Sequence, residues 1–309
     1  MKTWVIVAIA VSIGASIGPP GVHGRTWRVN AAGTGDARTI AAALDSCAAG
    51  DSVLVAAGEY QIDSHMIIGD DQVTLVSEAG AAATVLECGS APVYVLVGTE
   101  SIIDGFTFNS IRFGNNGSWT HGGRISNNIL RGSGDPYESA MHFWQHYGTT
   151  ISGNCIYSYG GGIGLSESSE FIFDHNTIMD CGTALAPDAS WPWNTIVNNL
   201  IVGNAVGIDF GHEDLVGTIA CNNVFGNSTA NYLNGTDPTG TNGNISIDPE
   251  FCAVDPPGSG NFLLQSDSPC APGNHPDGVS CGLIGACPVG CDKVSIEPAS
   301  WGAIKSIYR

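Results

Sequence analysis

The residues with the most chemical potential in this 309-residue chain lie between positions 131 and 214. His142 stands two residues from Trp144, with Tyr137, Glu138 and His146 near it in sequence. An imidazole titrates near neutrality, so His142 is the candidate general base or acid. His146, Tyr137 and Arg131 are the alternatives for that base, in a lyase reaction whose cation would be Ca²⁺. Asp188 and Asp209 form a second candidate, a carboxylate pair that could divide acid and base work between them. Glu138 and Glu167 carry the hard oxygen atoms that Ca²⁺ prefers, so calcium is the expected cofactor if there is one. Trp144, Trp191, Trp193, Tyr137 and His146 offer flat faces and polar edges for holding a substrate.

A repeat must position these side chains. Similar segments recur: Ile125-Ser-Asn-Asn128-Ile-Leu, Ile151-Ser-Gly-Asn154-Cys-Ile, Phe173-Asp-His-Asn176-Thr-Ile, Ile196-Val-Asn-Asn199-Leu-Ile and Ala220-Cys-Asn-Asn223-Val-Phe. The aligned asparagines fall at intervals of roughly 22 to 26 residues, a solenoid period. Each coil would supply short strands that stack on the next coil about 4.8 Å away. The corner between two strands needs a residue that tolerates left-handed geometry, and Asn does. A lone buried amide costs about 1–3 kcal/mol, so one buried Asn recruits the next into a ladder. The glycosylation-type sequons at Asn116, Asn227, Asn234 and Asn244 are expected off that ladder.

A second strand follows each corner with period-two alternation: Met141-His-Phe143, Ile163-Gly-Leu165, Leu185-Ala-Pro187 and Ile208-Asp-Phe210. The middle residues point outward in one row, which puts His142 and Asp209 on the same face. Three rungs separate them, roughly 14 Å, too far to serve one bond. Asp188 and Asp209 would stand roughly 8 Å apart, inside the spacing of about 6.5–9.5 Å used by inverting carboxylate pairs.

The ends differ from the body. Residues 1–24 read as a signal peptide: Lys2 is the basic residue, an apolar run extends to Ile17, and Val22-His23-Gly24 forms the cleavage site. Secretion to the exterior or cell surface follows, with no stable membrane insertion after cleavage. Residues 39–49 read as an amphipathic helix with Ile40, Leu44 and Cys47 on one face, stopped by Gly50, covering the open end of the solenoid. Residues 25–250 form the body. Residues 251–291 are rich in Pro, Gly and Cys and read as a disulfide-stapled cap, with the pairing left open. Cys47 and Cys88 are candidates to staple the other end, and residues 292–309 are a tail. The net charge is −19, an acidic balance that argues against nucleic acid as a partner, and the lysines Lys2, Lys293 and Lys305 lie outside the body. The chain is expected to be a monomer.

The opening Gly33-Thr-Gly-Asp-Ala-Arg-Thr39-Ile, with Ala43-Leu-Asp and Gly50-Asp-Ser-Val-Leu-Val-Ala-Ala-Gly-Glu-Tyr60, resembles that of pectin-lyase-like proteins. The Asn-x-Ile coils resemble the parallel β-helix repeats of the same family, over about residues 27–250. The resemblance implies an all-β fold: a single-stranded right-handed parallel β-helix with an N-terminal capping helix and a disulfide-rich C-terminal cap, of the secreted bacterial type. It implies an extracellular polysaccharide as partner, processed by lyase-like or glycosidase-like chemistry, or bound by a non-catalytic surface solenoid. The departures are specific. The Gln-Asp-Thr signature of pectin methylesterases is absent. Of the polygalacturonase sets the chain has only Asp70-Asp71, too early, and Gly211-His-Glu in place of Gly-His-Gly. No lysine in the body could join an arginine as in chondroitinase-like lyases. Fold is therefore implied more sharply than activity.

Overall fold

The computed structural model describes residues 24–69, 72–88, 93–115, 119–187, 193–211, 216–252 and 262–292. Asp188, Trp191, residues 1–23 of the expected signal peptide and residues 293–309 of the expected tail lie outside them. The chain winds into stacked coils whose short strands form three long parallel sheets. The first has nine strands, from Thr26–Val29 to Val216–Ala220; the second has eight, from Gly58–Ile62 to Asn223–Phe225; the third has eight, from Met66–Ile67 to Ala230–Leu233.

The core is three columns of like residues, one from each sheet. In the first, Val53, Leu75, Ile103, Ile125, Ile151, Phe173 and Ile196 face one another rung by rung. Leu86, Phe108, Leu130, Ile156, Ile178, Ile201 and Val224 do the same in the second. Val95, Phe113, Met141, Ile163, Leu185 and Ile208 do so in the third. All are buried. Each removes a side chain from water for about 1.5–3 kcal/mol, and β-branched residues fit the pleated surface without losing rotamer freedom they would otherwise use.

The asparagine ladder is present with one rung shifted. It runs Asn128, Asn154, Asn176, Asn199, Asn222, Asn244. Its last members are thus Asn222 and Asn244, not Asn223. In each rung both the backbone N–H and the side-chain amide donate to the next Oδ1; for Asn154 to Asn176 both are 3.1 Å. The same amide donates to a backbone carbonyl, as from Asn154 to Ile125 at 2.9 Å. The left-handed corner belongs to the residue before the ladder: Asn127, Gly153, His175, Asn198 and Cys221 have positive φ. Two sequon asparagines expected off the ladder are structural. Asn244 ends it, and Asn227 joins a second ladder with Asn204 and Asn231.

The expected helix over 39–49 is one turn, Ile40–Leu44, with the Thr39 hydroxyl accepting from the Ala42 N–H. Asp45 is its C-cap, and just beyond it the Ser46 hydroxyl donates to the Ala42 carbonyl. The cysteine-rich segment does more than close an end. It folds back along the outer face of the second sheet, where Phe262, Leu264, Cys270 and Ile284 pack on Tyr157, Leu200 and Val202. Disulfides join Cys221 to Cys281 and Cys252 to Cys291. Cys47 and Cys88 pack against the main core.

Candidate functional site

The third sheet carries the outward row anticipated from alternation. His142 faces Gly164, which faces Ala186. The His142 ring lies over Gly164, where a Cβ would stand 3.3 Å from its Cδ2. That vacancy lets Nε2 reach the Ser166 hydroxyl at 3.1 Å. Trp144 is exposed, but its backbone is bracketed by Asn115, which accepts from its N–H at 2.9 Å and donates to its carbonyl at 2.8 Å. The strand therefore holds the indole outward on a fixed mount.

Toward the N-terminal rungs, Tyr94 and Arg112 are register partners. The Arg112 guanidinium donates to the Tyr94 hydroxyl at 3.2 Å and sits 5.8 Å from its ring centroid. Glu138, 2% exposed, holds the other side of Arg112, with Oε1 3.6 Å from Nε. Its Oε2 accepts from the Ser133 N–H at 3.0 Å and hydroxyl at 2.7 Å. A buried carboxylate so occupied fixes the arginine rather than facing a ligand. Tyr94, Arg112, Asn115, Tyr137, His142 and Trp144 surround a cleft of about 460 Å³. Tyr137 is 90% exposed.

The other expected site residues are dispersed. Arg131 lines a separate cavity of about 450 Å³ with Ser133, Pro136, Ser158, Asp180 and Cys181, so it does not meet His142. Its charge acts on Tyr157, whose hydroxyl burial pushes up and Arg131 draws down. His146 points inward: fully buried, it contacts the Thr120 and Thr149 hydroxyls and packs between Phe143 and Phe171. Burial lowers its pKa to about 4, so it is neutral and cannot touch a substrate. Trp193 is exposed but precedes Asn194–Val197 of the first sheet, away from the cleft. Asp209 keeps its place in the outward row, three rungs from His142, its Oδ1 accepting from Gly211 N–H and the Asn234 amide.

Glu138 and Glu167 do not form a common cation site. Glu138 precedes the strand Ser139–Trp144, whereas Glu167 follows Gly161–Ser166 and accepts from Gln145 at 2.7 Å. About seven residues of strand, roughly 23 Å, separate the two positions. Among the described residues no cluster of three or more His, Cys, Asp or Glu side chains could hold a metal ion.

Arg112, Tyr94 and Asn115 are the residues that the repeat alignment did not reach. Ile111-Arg-Phe113 carries the same apolar-polar-apolar signal as Met141-His-Phe143. In sequence Ile125 follows Phe113 by 12 positions where Ile151 follows Phe143 by 8, which throws Arg112 out of the spacing counted back from Asn128.

Residues 81–229 match the family model described as the right handed beta helix region. No curated protein sequence matches the chain. Among solved structures, a rhamnogalacturonan lyase is similar at 10% identity with a TM-score of 0.38, over 74% of this chain and 65% of that one. The chain thus spans slightly less than two thirds of that structure's length.

Proposed function

Starting from a right-handed parallel β-helix protein, we propose that the third sheet binds an extracellular acidic polysaccharide and cleaves it by β-elimination. The observation that carries this reading is the cleft in which Arg112, held by Tyr94 and Glu138, shares walls with His142, Trp144 and Tyr137. A positioned guanidinium pairs with a sugar carboxylate and favours the enolate-like charge that builds when the neighbouring C–H is deprotonated. His142 takes that proton, the bond from the adjacent carbon to the glycosidic oxygen breaks, a C=C bond forms, and solvent protonates the leaving oxygen. Trp144 and Tyr137 offer faces on which sugar rings stack.

Two disulfides support an oxidising destination, in line with the signal-like residues 1–24. One contact favours a second reading, a non-catalytic glycan-binding solenoid: His142 Nε2 is already engaged by Ser166.

The test is mass spectrometry of products after incubating the protein with neutral and uronate-containing polysaccharides, with and without Ca²⁺. Unsaturated oligosaccharides from the acidic set are expected. Saturated products would replace elimination with hydrolysis. Binding without any product would leave the non-catalytic solenoid.

A further inference from the structure

Cys155 opens the strand Cys155–Tyr157 on the outer face of the second sheet. Cys287 belongs to the segment that folds back over that face, and the two sit in one apolar cluster with Tyr157 and Phe262. Their sulfur atoms are 3.1 Å apart, closer than two sulfurs that merely pack. Neither takes part in the Cys221–Cys281 or Cys252–Cys291 disulfide. We propose that Cys155 and Cys287 form a third disulfide, which clamps the C-terminal segment to the middle of the solenoid.

The placement of the two known disulfides explains what this bond adds. Cys221–Cys281 ties the segment to the coil that contains Cys221, and Cys252–Cys291 closes the segment on itself. Beyond Cys281, polar anchoring comes from the Gly285 N–H on the Asn198 carbonyl at 2.7 Å and the Ala286 N–H on the Thr177 hydroxyl at 2.9 Å. Cys155 aligns with Thr177, Leu200 and Asn223 along the second sheet. A bond there would fasten the segment about three rungs, roughly 14 Å, from the Cys221 attachment.

The chemistry has a direction. Cys155 is buried, while Cys287 is partly exposed. The hydrogen bond with Cys155 lowers the Cys287 thiol, and the same contact together with burial raises Cys155. Cys287 is therefore the thiolate that solvent reaches. It attacks one sulfur of an incoming disulfide, either a small molecule or an exchange protein, and expels one thiolate to leave a mixed disulfide on Cys287. Cys155 then loses its proton to solvent and attacks the Cys287 sulfur, expelling the second thiolate. The cysteine pair is oxidised by two electrons and the incoming disulfide is reduced to two thiols.

The experiment oxidises the full chain with glutathione disulfide, alkylates remaining thiols and maps peptides without reduction. No Lys or Arg lies between Arg131 and Lys293, so trypsin leaves both cysteines in one peptide and a protease cutting after aromatic residues is required. The expected result is a Cys155 peptide linked to a Cys287 peptide and separated by reduction. Recovery of the Cys155 peptide alkylated and unlinked, with Cys287 alkylated in a peptide held only through the Cys221–Cys281 and Cys252–Cys291 disulfides, would overturn the proposal. Limited proteolysis supplies an independent reading. In oxidising buffer, Cys155→Ser and Cys287→Ser should each speed cleavage of the segment severalfold and equally. In reducing buffer wild type should match both. Cleavage of either oxidised variant at the oxidised wild-type rate would also refute the bond.

Discussion

The second and third sheets are built from the same coils and bury the same kind of inner column, yet their outer faces have opposite fates. Outward positions of the second sheet include Cys155, Tyr157, Leu200 and Val202, all buried beneath the returning C-terminal segment. Those of the third include His142, Trp144 and Asp209, which stay open or half open to solvent. A sheet buried on both faces reads as a continuous apolar run, as in Leu200–Val202, and one with a single buried face alternates. Coil geometry is therefore neutral about function. The outward side chains decide whether a face becomes interior or site.

The contrast predicts where substitutions act. Leu200→Ala on the covered face should lower unfolding free energy by about 3 kcal/mol, measured by denaturant titration, with turnover per folded molecule unchanged. Next comes pH. His146 is four residues from His142 but faces inward, and its pKa falls from 6.5 to about 4. Between those values the unfolded chain binds more protons than the folded one, so stability falls as pH drops. The slope should be about 1.4 kcal/mol per pH unit, for about 2 kcal/mol lost at pH 5. His146→Gln should flatten that slope in melts at pH 5 and 7, whereas His142→Gln should leave it in place. Trp144→Ala on the open face should weaken polysaccharide binding about tenfold in calorimetry, near 1.4 kcal/mol, and change stability by less than about 0.5 kcal/mol. The smallest effect is Gly164→Ala. Its new methyl would press the His142 ring at 3.3 Å, lowering turnover about twofold with melting unchanged.

The coils and the inner columns were legible because both are local: alternation and a near-constant period are written in adjacent residues. The ladder slipped by one at Asn222-Asn223 for a local reason too. At Asn127-Asn128 and Asn198-Asn199 the first Asn takes the left-handed corner; in the last coil Cys221 takes it, which moves the ladder to the first Asn. The cleft was half legible. His142, Trp144 and Tyr137 follow from the repeat, but Arg112 sits across a lengthened coil and pairs with Tyr94, far earlier in sequence. Arg131 is close in sequence, yet it belongs to the second sheet, paired with Tyr157, and lines another cavity. The inward turn of His146 depends on partners from a neighbouring coil, and the path of residues 262–292 depends on packing against strands far earlier in the sequence. Neither is visible in a periodic pattern.

The most direct discrimination is initial-rate formation of unsaturated product from a uronate-containing polysaccharide by wild type, His142→Ala and Arg131→Ala. A site on the open face of the third sheet predicts loss of turnover in His142→Ala and near wild-type turnover in Arg131→Ala, with both variants folded. Loss in Arg131→Ala with retention in His142→Ala would move the chemistry to the other cavity and contradict the assignment.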